Sequence, residues 1–357
     1  MATYKVLISP ASDPGNFIAE LPFSDLSWSE TLNEVGEASV SLPLRGGSLE
    51  TVAGNLAPGK TCLWIDRNGS LRFGGIVWTA SGSVDGNSLD ISASDFHSYT
   101  RRREIRSTTT FTAVDQLTIA RTLIDNLQDT AGSLDIIQTT ETSLSGVLRD
   151  RTYLWYERLG VGEAIENLAS VNDGFDWRYV VAYSAGVPTV EFTTSFPKLG
   201  FRTPYVFDLG SNVELLSFTE DGTSLVNRAE AIGIGEGEAI SQALASLTNS
   251  AALLEYPLYE RSETFNDIYF QSTLEGKARL MLARGAKPIT QYTVRLSPDA
   301  QPRLGSYKVG DIVQLRGEYG YLSVADDFRI VSLAYSVGTD GEVVEATLTN
   351  LEAFDDI

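Results

Sequence analysis

The chain has 357 residues, 43% of them apolar and 21% charged, which is enough to bury a sizeable core and too apolar for a disordered polypeptide. Lys and Arg total 27 against 47 Asp and Glu, and the formal net charge of −20 repels phosphate backbones and argues against a protein that grips DNA or RNA. No apolar run approaches the ~20 residues that span a bilayer, so no membrane insertion is expected.

Cys62 and His97 are the single members of their kinds. They can supply neither an internal disulfide nor a tetrahedral zinc site, and no metal or cofactor is expected. Met1–Val6 enters a strand pattern at once, without the basic and apolar blocks of a signal peptide. The chain is therefore expected to be made and folded in a cytoplasm.

Along the chain, period-2 alternation comes first. Ala38, Val40 and Leu42 face one way, and Leu89, Ile91 and Ala93 do the same further on. Between them Thr61–Arg67 and Ser70–Trp78 flank Asn68-Gly69, a pair suited to a two-residue turn with positive φ, which predicts a β-hairpin. Val114, Leu117, Ala120, Ile124 and Leu127 then recur at helical spacing and predict a helix over 112–129. A second helix is predicted over 162–172, stopped by Gly174. Asp176–Tyr183 and Thr189–Thr194 read as a hairpin around Ala185-Gly186, and a last helix is predicted over 273–284, before Gly285 and Pro288.

The later strands echo the earlier ones. Ala38–Leu42, Pro58-Gly59-Lys60 with its hairpin, Gly75–Trp78, the turn Asp85-Gly86 and Leu89–Ser94 make the first series. Gln291–Leu296, Val309-Gly310-Asp311 with its hairpin, Arg329–Ser332, the turn Asp340-Gly341 and Val344–Thr349 follow in the same order. This implies two copies of one β-module.

Gly54-Asn55-Leu56-Ala57-Pro58-Gly59-Lys60-Thr61 matches the phosphate-loop pattern formally. No buried strand is expected at 46–50, and Cys62–Asp66 reads as a strand where a phosphate loop requires a helix N-terminus. The match is rejected. Gly233–Glu238 has the wrong glycine spacing for a dinucleotide fingerprint, and Glu236 and Glu238 would repel a pyrophosphate.

His97 follows a strand without a nucleophile elbow nearby and reads as a loop or edge histidine. Arg101-Arg102-Arg103 and Arg106 are expected to pair with carboxylates of a neighbouring domain or subunit, and Asp355-Asp356 to be solvated. No calcium loop is present, and no catalytic residue can be named, although 47 acidic residues leave room for a carboxylate pair.

Several short segments resemble the baseplate hub proteins of phage tails, including the N-terminal hub portion of siphophage tail-associated (minor tail) proteins. They are Tyr4–Ile8, Leu26–Ala38, Pro58-Gly59-Lys60, Phe73–Val77, Gly162–Ile165, Gly174–Trp177, Asn227-Arg228, Gly233–Glu238 and Leu304–Asp311. The resemblance implies a mainly β fold with an α+β insertion: two tail-tube-like β-barrel or sandwich modules plus a small helical α+β domain. The domain expectation is 1–107 for the first module, completed by strands in 201–230, then 108–200 for the inserted α+β unit and 226–357 for the second module.

The implied role is structural and non-enzymatic. A homotrimer at the virion's tail tip would ring the DNA channel and adapt the six-fold tail tube to three-fold components. Its partners would be the distal tail protein, the tail tube and other tail-tip or tape-measure proteins, with DNA passing through and not specifically bound. The chain stops after its second module, so the hydrolase or receptor-binding extensions of some relatives are not implied. A carbohydrate-binding adhesin, a distal tail protein and a cell-wall hydrolase stand as the alternatives.

Overall fold

The computed structural model describes residues 2–43, 56–82, 88–171, 173–233, 244–265, 271–297, 301–338 and 341–354. The fold is mainly β with a few helices. Strands run β1 (Tyr4–Pro10), β2 (Ala19–Leu21), β3 (Asp25–Thr31), β4 (Glu37–Pro43), β5 (Thr61–Arg67), β6 (Ser70–Gly82) and β7 (Ser88–Asp95). The one-turn helix α1 (His97–Thr100), β8 (Thr109–Asp115), α2 (Gln116–Gln128), β9 (Ile137–Gln138), β10 (Leu148–Tyr153) and α3 (Val161–Ala169) follow. Then come β11 (Asp176–Ser184), β12 (Val187–Ser195), β13 (Arg202–Asp208), β14 (Val213–Asp221), β15 (Arg228–Ile232), β16 (Leu244–Thr248) and β17 (Glu260–Thr264). The helix α4 (Gln271–Arg284) precedes β18 (Ile289–Leu296), β19 (Ile312–Tyr319), β20 (Leu322–Gly338) and β21 (Gly341–Asn350).

The chain divides into two compact units. One holds Met1–Arg202, Leu296–Asp311 and Val331–Ala346; the other holds Thr203–Arg295, Ile312–Ile330 and Thr347–Ile357. In the first, β5 is buried on both faces, which is why Thr61-Cys62-Leu63-Trp64-Ile65 lacks polar alternation. Leu63 and Ile65 join Val6, Ile8, Val40, Phe73 and Ile91 in one core. Cys62 and Trp64 point the other way, into a core shared with α2, α3, β11 and β12. A Cβ at Gly74 would lie 2.5 Å from the Trp64 ring, so glycine is needed there for the strands to approach.

Six strands in one order, β3-β4-β7-β6-β5-β1, recur in the same order as β14-β18-β21-β20-β19-β13. The strands of 201–230 therefore join the second set, and β3 takes its outer partner from β20, with Ser332 opposite Thr31 and Val337 opposite Leu26. In the second unit, α4 covers the β16-β15-β17 sheet through Leu274, Ala278 and Met281.

Both turn dipeptides adopt positive φ at both residues: Asn68 and Gly69 at 55° and 81°, Ala185 and Gly186 at 51° and 84°. The helix expected over 112–129 begins later. Residues Thr109–Asp115 are strand β8, and the Asp115 carboxylate caps α2 by accepting from Leu117 N at 2.9 Å. Helix α3 ends at Ala169; a Cβ at Gly174 would sit 1.8 Å from the Ala169 carbonyl oxygen, so the turn beyond it admits only glycine. Residues 46–50, Gly54-Asn55, Asp85-Gly86, Asp340, Asp355-Asp356 and the 234–238 stretch of the glycine loop lie outside the described residues.

Trp64 is fully buried, and its Nε1 donates to Ser9 Oγ at 2.8 Å. Trp64→Ala is expected to cost about 3–5 kcal/mol through the cavity it leaves. Ser9→Ala, which leaves only the indole N–H unpaired, is expected to cost about 1–3 kcal/mol. Urea denaturation followed by far-UV circular dichroism measures both.

Candidate functional site

The residues singled out by the sequence fall at separate places. Lys60 is exposed in a turn held by its own N–H donating to Ala57 O at 3.0 Å, and Thr61 enters strand β5 where a phosphate loop requires a helix. Cys62 is buried, and burial pushes its thiol up to about 12, so no reactive thiolate forms at neutral pH. Among the described residues no three His, Cys, Asp or Glu side chains gather to hold a metal ion.

The basic cluster finds partners within the chain, and Arg101 reaches from the expected 1–107 module to a carboxylate of the expected 108–200 unit. Arg101 grips Glu166 through Nε at 2.6 Å and Nη2 at 2.9 Å. Arg102 lies 4.0 Å over the Trp78 ring. Arg103 donates to Ser133 Oγ at 2.9 Å and to Leu127 O at 3.3 Å, tying the end of α2. Arg106 lies 3.5 Å from Glu104. Aromatic, hydroxyl and carbonyl partners take Arg102 and Arg103, two of the four guanidinium groups, which the cluster's charge alone does not reveal.

His97 is not a loop or edge residue. It is fully buried, its ring 4.1 Å from Trp177, and its Nε2 is 2.6 Å from Glu166 Oε1. Nδ1 lies 3.2 Å from Thr100 Oγ1 and 3.3 Å from the Tyr179 hydroxyl. Burial lowers the imidazole to about 4, against the opposing pull of Glu166. The neutral ring therefore donates Nε2–H to the carboxylate and presents Nδ1 to the hydroxyls. Two residues upstream, burial raises the Asp95 carboxyl to about 7, although it accepts from Gly36 N at 2.8 Å and His97 N at 2.9 Å.

Asp95 also lines a cavity of about 190 Å³ between β3, β6, β11 and residues 305–309. Glu30 faces it, its carboxyl raised by burial while Arg178, Arg72 and Lys308 pull it down. The Nε atoms of Arg72 and Arg178 are buried and have no hydrogen-bond partner. The arrangement can hold a carboxylate among cations. No sequence signal marked Glu30, Arg72 and Arg178, which lie on three separate strands.

No family model and no curated protein matches the chain. Solved structures do match over nearly its whole length. The 43 kDa tail protein of prophage MuSo2 from Shewanella oneidensis is 12% identical with a TM-score of 0.66, covering 99% of this chain and 100% of its own. A tail protein from Neisseria meningitidis MC58 is 11% identical with a TM-score of 0.62, covering 98% of each. The E. coli c3393 protein, a type VI secretion component described as similar to T4 tail proteins gp27 and gp5, is 9% identical with a TM-score of 0.51. That match covers 96% of this chain and 75% of c3393. At such identities the likeness is one of fold: this chain has the fold of phage tail proteins.

The shifts of His97 and Asp95 oppose one another. His97, near 4 folded against 6.5 free, stabilises the fold above pH 6.5 and loses that contribution as pH falls through 6.5 to 4. Asp95, near 7 folded against 3.8 free, contributes most at low pH and loses it as pH rises from 4 to 7. Asp95→Asn removes the second slope. Its melting temperature is expected to rise with pH more steeply than the wild type's between pH 4 and 6.5, and equal slopes would refute the assignment.

Proposed function

We propose that this chain is a structural, non-enzymatic subunit of a phage-type tail tip, a baseplate hub. Three copies form a ring around the DNA channel, each contributing two tube-like modules, so that a six-fold tail tube meets three-fold components. The observation that carries this reading is the recurrence of one six-strand order within a single chain. A repeated module lets three chains present six similar surfaces. The tail-protein fold, matched from end to end, supports the setting.

In this reading the partners are the distal tail protein, the tail tube and other tail-tip or tape-measure proteins, and the location is the virion. The net charge of −20 per chain suits a channel that DNA must pass without adhering. The burial of His97 and Cys62 fits a protein whose polar groups serve architecture.

Native mass measurement of the purified chain, with negative-stain imaging, tests the proposal. The expected species is a ring of three times 38.8 kDa with pseudo-six-fold outline. A six-copy ring would point to a distal tail protein, and a monomer that binds glycans to an adhesin.

A further inference from the structure

The cavity lined by Arg72, Arg178 and Lys308 is built in a way that a hub role does not require. Arg72 lies at a β-bulge. The register between β5 and β6 steps from Asp66 opposite Leu71 to Ile65 opposite Phe73, so Arg72 is the extra residue. Leu71 and Phe73 on either side of it enter separate cores, and Arg72 between them lines the cavity. Its guanidinium lies along Gly305, where a β-carbon would come within 3.3 Å of Nη2. Arg178 comes from β11, and Lys308 from a loop of fixed shape. Lys308 N donates to Asp311 Oδ2 at 2.9 Å, and Asp311 N donates back to Lys308 O at 3.1 Å. The Val309-Gly310-Asp311 stretch thus holds an exposed lysine beside the cavity.

These three cations, from separate elements, all act on Glu30, Arg178 most strongly. The other nearby acids are engaged elsewhere. Asp95 accepts from Gly36 N and His97 N, Asp311 accepts from Lys308 N and Phe201 N, and Glu34 acts on Arg101. The Nε–H groups of Arg72 and Arg178 are buried donors without an acceptor among the described residues. Leaving them so is unfavourable, and it occurs in a chain with 47 acidic side chains to 27 basic ones. Beside the charges, buried Phe73, Leu199 and Val309 give the cavity an apolar wall.

We propose that this cavity binds a small organic carboxylate, gripped by Arg72 and Arg178, with Lys308 beside it and its carbon skeleton against the apolar wall. A guanidinium fork fits a carboxylate in two-pronged fashion, and an anion there gives the buried Nε–H groups acceptors. The volume of about 190 Å³ is smaller than the pockets that take drug-sized ligands, so the molecule is a short one. The apolar wall favours it over inorganic phosphate, which has no carbon to bury. Glu30 tunes the site, because its own negative charge competes for the same cations. The inference goes beyond the hub reading and does not depend on it.

Isothermal titration calorimetry on the full chain tests it, with sodium succinate, acetate, phosphate and chloride at one ionic strength. The expected result is saturable binding of one succinate per chain, tighter than acetate because three cations can meet two carboxylates. Arg72→Gln and Arg178→Gln are each expected to weaken it by at least about tenfold. Lys308 is exposed, so Lys308→Ala keeps the fold and weakens binding by roughly two- to five-fold. Glu30→Gln is expected to tighten it several-fold. Damage to the fold would weaken binding in every variant, so the opposite signs of the arginine and Glu30 variants separate recognition from folding. No saturable heat with either carboxylate, heats matched by chloride, or binding unchanged in both arginine variants overturns the site and leaves the hub reading untouched. Phosphate bound more tightly than succinate overturns the choice of ligand.

Discussion

The first unit is completed by residues from the far end of the sequence. β3 would be a bare edge without Ser332–Val337 of β20, and the join is cemented by side chains as well as main chain. Trp28 stacks on Tyr335 with ring centroids 4.6 Å apart and planes 5° apart. Arg67 holds Glu342 in a two-pronged ion pair at 2.9 and 3.0 Å, and Tyr4 bonds the same carboxylate. Both partners of that ion pair are largely withdrawn from solvent, with side chains 17% and 12% exposed. Such a pair resists screening, and losing one member strands the other's charge, so it fixes the register between the chain's two ends more firmly than a surface bridge could. The N-terminal sheet therefore cannot be finished until the last strands exist. Contacts this distant in sequence make folding slow and late.

The α+β portion is fixed to that sheet by polar contacts, several of them gathered around buried His97. Glu166 on α3 meets both His97 and Arg101, which stand one helical turn apart at α1. A neutral imidazole and a guanidinium share one carboxylate, so the negative charge is balanced once and the histidine stays uncharged. Across the core, Asn33 accepts from Trp177 N and donates to Asp176, each at 2.8 Å, clamping the loop after β3 to the start of β11. These bonds have direction where apolar packing does not, and they set the angle at which the smaller sheet lies on the larger.

What the sequence disclosed follows from the range over which each feature is decided. The turns at Asn68-Gly69 and Ala185-Gly186 were legible because positive φ is a property of two residues. The span of α4 was legible from its stop residues, Gly285 and Pro288. The start of α2 was not, because apolar Val114 continues the helical spacing while β8 is held as strand by pairing with β10, as in Thr110 opposite Thr152. His97 was misread for a related reason. Its burial comes from Trp177 and Glu166, some seventy to eighty positions away, and no local pattern announces them. The echo between the two halves could be read as an order of strands, but not which strand would finish which sheet. That depends on β20 outrunning β19 and on β13 and β14 lying with the second set, neither of which leaves a mark in residue periodicity.

An exposed edge strand is a hazard for any β protein before its partner arrives, and β14 shows how the chain manages it. Glu214, Glu220 and Asp221 place negative charge along the strand, and Glu214 pairs with Arg295 at 3.4 Å. Like copies meeting edge to edge at β14 would bring these carboxylates together and repel, since the same strand faces itself. Charge placement alone therefore disfavours the symmetric contact at β14. An overall charge of −20 adds a long-range barrier to random encounters without touching this selectivity, because only the edge residues come close enough to escape screening. The acidic composition that first argued against nucleic-acid binding thus also bears on which of its own edges the chain can join.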